Sequence, residues 1–362
     1  MTEPPPLQQV DRTYVRFKSR KLSYFSGCDY FRMASHPKVL RAIESGLKKF
    51  GLNVAASRMT TGNNPIYPEL ESALAKFFGA RDALLVSNGY VTNSIAAQAL
   101  AGEFSHVLLD AEAHPSLVDA AQFFNAPIVK FKSRDPEDLK RVVKRLGKSG
   151  RFILLTDGMF SRDGSVAPLK SYLKILPRDA WLLVDDAHGG GTIGKTGRGT
   201  IEVSGISRER VIQTVTLSKA FGVYGGAILG TRALRKKILE RSKMFVGSTP
   251  FPPALASGVL EAVKILRADK SLRRRLKANL AYVRTQLGET DSPVQCPGPI
   301  HAFAPRNGRE ADSLSKRLLA AGIYPPLARY GRDAARGYFR FAISSEHTRQ
   351  QLDGLIAALR SR

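Results

Sequence analysis

Trp181-Leu-Leu-Val-Asp185-Asp186-Ala-His188-Gly189 and Val211-Ile-Gln-Thr-Val-Thr216-Leu-Ser-Lys219-Ala-Phe-Gly222 are the two stretches that decide the fold. Each opens as a short apolar or β-branched run, the pattern of a strand covered on both faces in a parallel sheet. Each run then ends in reactive side chains, a carboxylate with an imidazole in one case and a lone lysine in the other. Ligands of open α/β sheets sit beyond the carboxyl ends of the strands. A buried carboxylate is costly unless a cation meets it. Side chains alternate along a strand, so only one of Asp185 and Asp186 faces a ligand. A lone Lys after a strand reads by itself as an exposed cation, because lysines are mostly solvated.

Outward from these runs, short strands alternate with helical stretches. Ala83-Leu-Leu-Val-Ser, Val107-Leu-Leu-Asp, Phe152-Ile-Leu-Leu-Thr and Ala227-Ile-Leu-Gly read as strands. Residues 92–100 and 115–124 read as helices between them. The alternation predicts an α/β fold with a mostly parallel sheet covered on both faces. Upstream, Val39, Leu40, Ile43 and Leu47 have helical spacing over residues 37–50. Residues 57–65 are turn-rich, and Gly79 stops a helix over 68–78. Residues 1–20 are polar and Pro-rich, then basic, and read as an arm. From about residue 271 the pattern becomes a smaller α+β region with a late strand near Arg340. The expected division is 1–35 for the arm and part of a small domain, 36–270 for the large domain, and 271–362 for the small C-terminal domain.

Taken together, the Asp–His and Lys motifs resemble the α-oxoamine synthase family, fold-type I enzymes that use pyridoxal 5'-phosphate to join an amino acid to an acyl thioester. The resemblance runs over about residues 20–360. It implies that Lys219 binds the cofactor aldehyde and later removes the Cα proton of the amino acid. It selects Asp185 over Asp186 as the partner of the cofactor ring nitrogen. His188 would meet the phenolic oxygen and His114 would stack on the ring. Asn88, Gly89 and Tyr90, at a strand–glycine–helix turn, would cradle the phosphate, with Thr216 supplying a hydroxyl; helix starts bind phosphate through their free N–H groups. Ser161 would lie near the cofactor oxygen. Ser248 and Thr249 would reach the phosphate of a neighbouring subunit, which implies a homodimer with shared active sites. Arg340 would clamp the substrate carboxylate with its planar fork, with Arg329, Arg332 and Arg336 as nearby competitors, and Asn63 would lie near the substrate. No metal site is expected.

The chain departs from the family pattern in places. Pro115 replaces an Ala after His114, a change the first turn of a helix tolerates. Tyr67 stands where His is frequent. The family segment Asn-Asp-Tyr-Leu-Gly-Leu appears as Cys28-Asp-Tyr-Phe-Arg-Met33, with Arg32 in place of Gly. The implied reaction is a decarboxylative condensation, with L-alanine favoured and glycine- or serine-using relatives as alternatives. An aminotransferase is a second enzyme reading.

Composition bounds the rest. The 362 residues exceed one ordinary domain, and 43% hydrophobic content is ordinary for a globular chain. No apolar run is long enough to span a membrane, and the N-terminus lacks a secretory pattern, so cytoplasmic location is the default. Cys28 and Cys296 form no disulfide or metal framework, although one bridge between them stays open. The net charge of +25 is high. It is dense over residues 264–284, where Ile265, Leu272, Leu276 and Leu280 leave Arg273, Arg274, Arg275 and Lys277 on other faces. That is a solvated helix face, or a surface for coenzyme A phosphates or an acidic carrier protein. A basic nucleic-acid-binding protein on an inactive enzyme fold is the non-enzymatic reading, but no nucleic-acid motif accompanies the charge.

Overall fold

A computed structural model describes residues 4–147, 150–288, 298–329 and 336–360. Its centre is a seven-stranded sheet in the order Asp82–Val86, Gly226–Gly230, Val211–Thr216, Trp181–Asp185, Phe152–Asp157, His106–Asp110 and Ile128–Phe131. Gly226–Gly230 runs antiparallel to both of its neighbours, and the other strands share one direction. The chain therefore has the mostly parallel α/β sheet that its alternating pattern predicts. Ile128–Phe131 is a strand that the pattern missed. It lies at the sheet edge, where Lys130 is exposed and the apolar run is short.

Alternation along the strands sends side chains into separate cores. Leu84, Val86, Leu109, Leu155, Leu183 and Ile212 pack with residues of the helices Val91–Ala99, Pro115–Ala121 and Arg232–Arg241. Leu108, Leu154, Leu182 and Val184 pack on the other side with the helices Pro136–Leu146 and Leu169–Ile175. Ala83, Leu85, Val215 and Leu229 join a third cluster with Ile66–Phe78 and Pro253–Ala268. Gln213 interrupts an otherwise apolar strand and is still fully buried. Its amide donates to Asp186 and to the Arg198 carbonyl and accepts from Arg208, so no polar atom is stranded.

Local chemistry fixes the helix ends. Pro37–Phe50 starts at Pro and is capped by His36, whose Nδ1 accepts from the Lys38 N–H, and it ends at Gly51 with φ +71°. The basic stretch is two helices, Pro253–Ala268 and Lys270–Leu287, divided at Asp269. The Asp269 carboxylate accepts from the Ser271 N–H at 2.8 Å and starts the second helix. That helix buries Leu272, Leu276, Leu280 and Val283.

Residues 8–23 are more structured than an arm. Gln8–Asp11, Tyr14–Phe17 and Arg20–Ser23 form a three-stranded antiparallel sheet. Ser23 bridges in parallel to Ile323, and the Phe25 carbonyl accepts from the Ala342 N–H at 2.6 Å. Phe25 shares a core with Phe339, Phe341, Leu352 and Leu355. The start of the chain is thus packed on a third sheet, Ile300–Phe303, Tyr338–Ala342 and Leu327–Ala328. Cys296 and Arg332 lie outside the described residues, and Cys28 is a free thiol. Among the described residues no helix is long and apolar enough to cross a membrane.

Candidate active site

Four strands of the sheet deliver polar groups at their carboxyl ends: Asp110, Asp157, Asp185 and Thr216. Asp185 and Asp157 are register partners, and so are Asp185 and Thr214. The Asp185 carboxylate accepts from Asn93 Nδ2 at 2.7 Å, Ser116 Oγ at 3.2 Å and the Ala187 N–H at 3.1 Å. Thr214 Oγ1 donates to Asn93 Oδ1 at 2.7 Å and so aims the amide at the carboxylate. These donors are neutral, and Asp185 is only 6% exposed. A buried carboxylate held by neutral donors alone has room in its electrostatics for one cation.

Asp186 turns to the opposite side. Its carboxylate accepts from the Thr200 N–H at 2.9 Å and Gln213 Nε2 at 2.6 Å, while Oδ1 is buried without a partner. It ties the glycine-rich segment after His188 to the sheet. A Cβ at Gly199 would come within 1.9 Å of its Oδ2, so only glycine lets the backbone approach. Burial pushes the Asp186 carboxyl up to about 6.

Lys219 follows Thr216 in a turn closed by the Gly222 N–H donating to the Lys219 carbonyl at 2.9 Å. Its Nζ lies 2.7 Å from His188 Nε2, and His188 Nδ1 lies 2.8 Å from the Tyr30 hydroxyl. Burial lowers the Lys219 amine, against the opposing pull of Cys28 and Asp185. Burial also holds His188 well below the usual histidine range, helped by the positive charges of Lys219 and Arg340. The imidazole is therefore neutral at physiological pH.

His114 caps the helix that begins at Pro115, its Nδ1 accepting from the Ser116 N–H at 3.2 Å. The His114 backbone N–H donates to the Asp157 carboxylate at 2.7 Å. Burial lowers the His114 imidazole, opposed by Asp185. Asp157 is raised well above the usual carboxylate range by burial and by the neighbouring Asp185. The Tyr90 ring meets His114 edge-on at 6.0 Å, and its hydroxyl donates to Asp119 at 2.6 Å.

At the start of Val91–Ala99, Asn88 Oδ1 accepts from the Tyr90 N–H at 3.0 Å and the Val91 N–H at 3.3 Å. Gly89 sits against Thr216: a Cβ there would fall 2.6 Å from the Thr216 hydroxyl. Helix start and Thr216 hydroxyl therefore form one cradle, which any side chain at 89 would fill. The Thr216 hydroxyl also bonds Ser218 at 2.8 Å.

Arg340 reaches this region from the C-terminal sheet. Its Nε donates to the Ser161 carbonyl, and its Nη2 donates to Cys28 Sγ at 3.4 Å. Burial pushes the Cys28 thiol up, but Arg340 and Lys219 outweigh it and leave the thiol lowered. Ser248 donates to the Met244 carbonyl; Ser248 and Thr249 line a cleft with Arg58, Leu85, Ser87 and Ile95. Asn63 is exposed and accepts from Arg58 Nε at 3.1 Å. Within the chain, neither the Ser248 nor the Asn63 hydrogen bond reaches Lys219 or His188.

Two departures from the family pattern prove to be interior residues. Tyr67 is fully buried and donates to the Phe251 carbonyl at 2.9 Å. Arg32 keeps a left-handed backbone, φ +53°, and turns its guanidinium inward to the Tyr24 carbonyl at 3.0 Å. Asn93, Ser116, Thr214, Tyr30 and Cys28 are site neighbours that the sequence did not mark with a role. The available signal was polarity on faces that should be apolar: Asn93 and Thr214 are both fully buried.

These residues fit pyridoxal phosphate on their own terms. Asp185 is a buried carboxylate whose hydrogen-bond donors are all neutral, Lys219 is a half-buried amine of lowered basicity, and Gly89 keeps open a helix-start cradle beside a hydroxyl. Such a lysine and carboxylate, at the carboxyl ends of a mostly parallel sheet, define a fold-type I pyridoxal-phosphate enzyme. Residues 26–359 match the aminotransferase class I and II family. The chain is 36% identical over 346 residues to the 8-amino-7-oxononanoate synthase of Thioalkalivibrio sulfidiphilus, covering 94% of this chain and 88% of that one. It is similar in structure to the serine palmitoyltransferase of Sphingomonas wittichii, with TM-score 0.91, 26% identity and coverage of 98% and 90%. It is also similar to the 8-amino-7-oxononanoate synthase of Francisella tularensis, with TM-score 0.79, 26% identity and coverage of 93% and 96%. The chain belongs to the α-oxoamine synthases, pyridoxal-phosphate-dependent acyltransferases within the class I and II aminotransferase family.

Proposed function

We propose that this protein condenses L-alanine with a seven-carbon acyl thioester that ends in a carboxylate, releasing carbon dioxide and the thiol to give 8-amino-7-oxononanoate. The names of its relatives support that product. Carbon counting gives the substrates: the nine-carbon product carries its amine on the carbon next to a terminal methyl. Alanine less its carboxylate supplies those two carbons, and the acyl group supplies seven.

When bound, pyridoxal phosphate supplies an aldehyde that takes up amines and a ring that draws electrons from the amino acid Cα. Lys219 holds the cofactor and, once displaced by the amino acid, removes the Cα proton; its lowered basicity suits that second task. Asp185 keeps a positive ring nitrogen paired, with Asn93 and Ser116 fixing its carboxylate. Neutral His188 directs Nε2 at Lys219 and would meet the phenolic oxygen of the bound cofactor, and His114 would stack on its ring. The N–H groups of Gly89 and Tyr90, with Asn88 and the Thr216 hydroxyl, would hold the phosphate. Ser161 would lie near the cofactor oxygen, and Asn63 would serve the substrate side. Arg340 grips the amino-acid carboxylate. The observation that carries the proposal is that Arg340, from a separate sheet, converges with Lys219 on the Cys28–Tyr30 turn.

The experiment is product identification with alanine, glycine and serine against a panel of acyl thioesters, on coenzyme A and on carrier protein. An amino ketone from alanine is expected, and its absence overturns the choice. The serine palmitoyltransferase likeness gives serine with a longer acyl chain as the second reading. Arg340→Ala should raise the amino-acid KM about ten- to a hundredfold with a smaller change in kcat, the loss of a charge-assisted hydrogen-bonded pair.

A homodimer is part of the same proposal, with Ser248 and Thr249 serving the partner's phosphate. Leu40 and Leu47, one heptad apart on Pro37–Phe50, are 50% and 43% exposed, and Leu52 is 70% exposed. Apolar side chains this open on one helix and its exit suit a subunit contact. Sedimentation of the cofactor-loaded chain should give twice the monomer mass.

A further inference from the structure

Tyr30 has no part in the chemistry assigned so far, yet it is 1% exposed and touches the group next to Lys219. It belongs to a turn fixed from within. The Tyr30 N–H donates to the Cys28 carbonyl at 2.9 Å, and the Asp29 carboxylate accepts from the Met33 and Ala34 N–H groups at 2.8 and 3.0 Å. The turn presents the Tyr30 hydroxyl to His188 Nδ1 and the Cys28 sulfur to Arg340.

The tautomer of His188 follows from its two neighbours. A neutral imidazole carries one N–H. A charged Lys219 can only donate, so Nε2 must accept from it and Nδ1–H must donate to the Tyr30 oxygen. The Tyr30 O–H then points onward to Cys28, which also receives Arg340. When Lys219 is neutral the chain can reverse: Nε2–H donates to the amine, and the Tyr30 O–H donates to Nδ1. Tyrosine serves both directions because its hydroxyl donates and accepts; phenylalanine serves neither.

We propose that Tyr30 is a positioning residue for Lys219, holding the His188 ring and coupling the direction of its N–H to the charge on the lysine. The role rests on Lys219 being the cofactor lysine and base. Cys28, Asp185, Asp157 and Arg340 also face Lys219, and His114 faces His188. These groups act on the charge of the pair, whereas Tyr30 bonds the second ring nitrogen.

Tyr30→Phe keeps the ring and removes the hydroxyl. Nitrogen-15 NMR of labelled histidines in the full chain, with and without pyridoxal phosphate, reads the tautomer, with His188 assigned through His188→Gln. The wild type should pass from Nδ1–H to Nε2–H as Lys219 loses its charge. Tyr30→Phe should pass to the Nε2–H form at lower pH than the wild type, because Nδ1–H has lost its acceptor. The titration of Lys219, read from the pH dependence of its acetylation in the cofactor-free chain, should move down by about one pH unit, the effect of one hydrogen bond. In the loaded enzyme kcat should fall about tenfold with the amino-acid KM changed less than about twofold. An unaltered tautomer and an unaltered Lys219 titration in folded Tyr30→Phe overturn the proposal. If Tyr30→Phe does not fold, the wild type alone decides: a His188 that keeps one tautomer while Lys219 titrates overturns the proposal. Retention of the near-visible cofactor band in Lys219→Ala would instead refute the lysine assignment, leaving the Tyr30 readouts to stand or fall separately.

Discussion

Lys219→Ala is expected to remove the near-visible absorbance band of the cofactor-loaded protein and to lower kcat by about a thousandfold or more. Two functions vanish with one amine, the covalent hold on the cofactor and the base for the Cα proton; a positioned base alone contributes about a hundred- to ten-thousandfold. The neighbouring groups do not replace it. His188 is neutral but held well below the usual histidine range by burial and positive neighbours, so it is a poor proton acceptor. Arg340 stays charged. The Lys219 turn is defined by backbone, through Gly222 N–H to the Lys219 carbonyl, so the variant should fold like the parent. Spectral titration with pyridoxal phosphate and single-turnover kinetics check both halves. A surviving band would sink the assignment.

Asp185→Asn should lower kcat by about a hundred- to a thousandfold, the scale of losing a preorganised electrostatic partner. The amide removes the negative charge that keeps a positive ring nitrogen paired. In either orientation its NH2 also meets a donor, Asn93 Nδ2, which Thr214 holds in place, or the Ala187 N–H. Asp186→Asn is the comparison that separates the two adjacent acids. Its amide can keep accepting from the Thr200 N–H and Gln213 while placing a donor where Oδ1 now has no partner. Activity should stay within about tenfold. Stability should change with pH instead. The folded-state carboxyl of Asp186 is raised to about 6 by burial, from an ordinary value of 3.8. The folded state thus binds the extra proton between about pH 4 and 6, and wild-type stability relative to the variant falls as pH rises through that window. The gain of Asp186→Asn at neutral pH should be on the order of 2–3 kcal/mol, fading toward pH 4, by urea unfolding across that range.

The sheet was legible because its strands are short apolar runs separated by helical spacing. Residues 152–157 and 211–216 are buried along their whole length, as runs dominated by apolar and β-branched residues require. Ile128–Phe131 escaped because an edge strand needs only one covered side. Strand character was legible from Lys21, which falls in Arg20–Ser23, but Gln8–Asp11 and Tyr14–Phe17 escaped because the first is exposed throughout and is held by pairing rather than by a core. At the site, chemistry at strand ends was legible one motif at a time. Asn93 and Ser116 were not, because each is an ordinary polar residue of a helix until the fold brings it against Asp185. Arg32 was legible only as a departure from the family pattern; that its guanidinium turns inward to the Tyr24 carbonyl follows from a left-handed backbone no spacing encodes.

By itself the sequence determined the class of fold, the family and the lysine and carboxylate at the strand ends, because burial period and residue chemistry are local properties of the chain. Only the tertiary structure decided which way Asp185 and Asp186 face, and that Tyr30 and Cys28 join Lys219 to Arg340. Those contacts span 158 residues between Tyr30 and His188 and 312 between Cys28 and Arg340. No spacing in a chain encodes a distance of about 3 Å across such separations; the packing of separate sheets does.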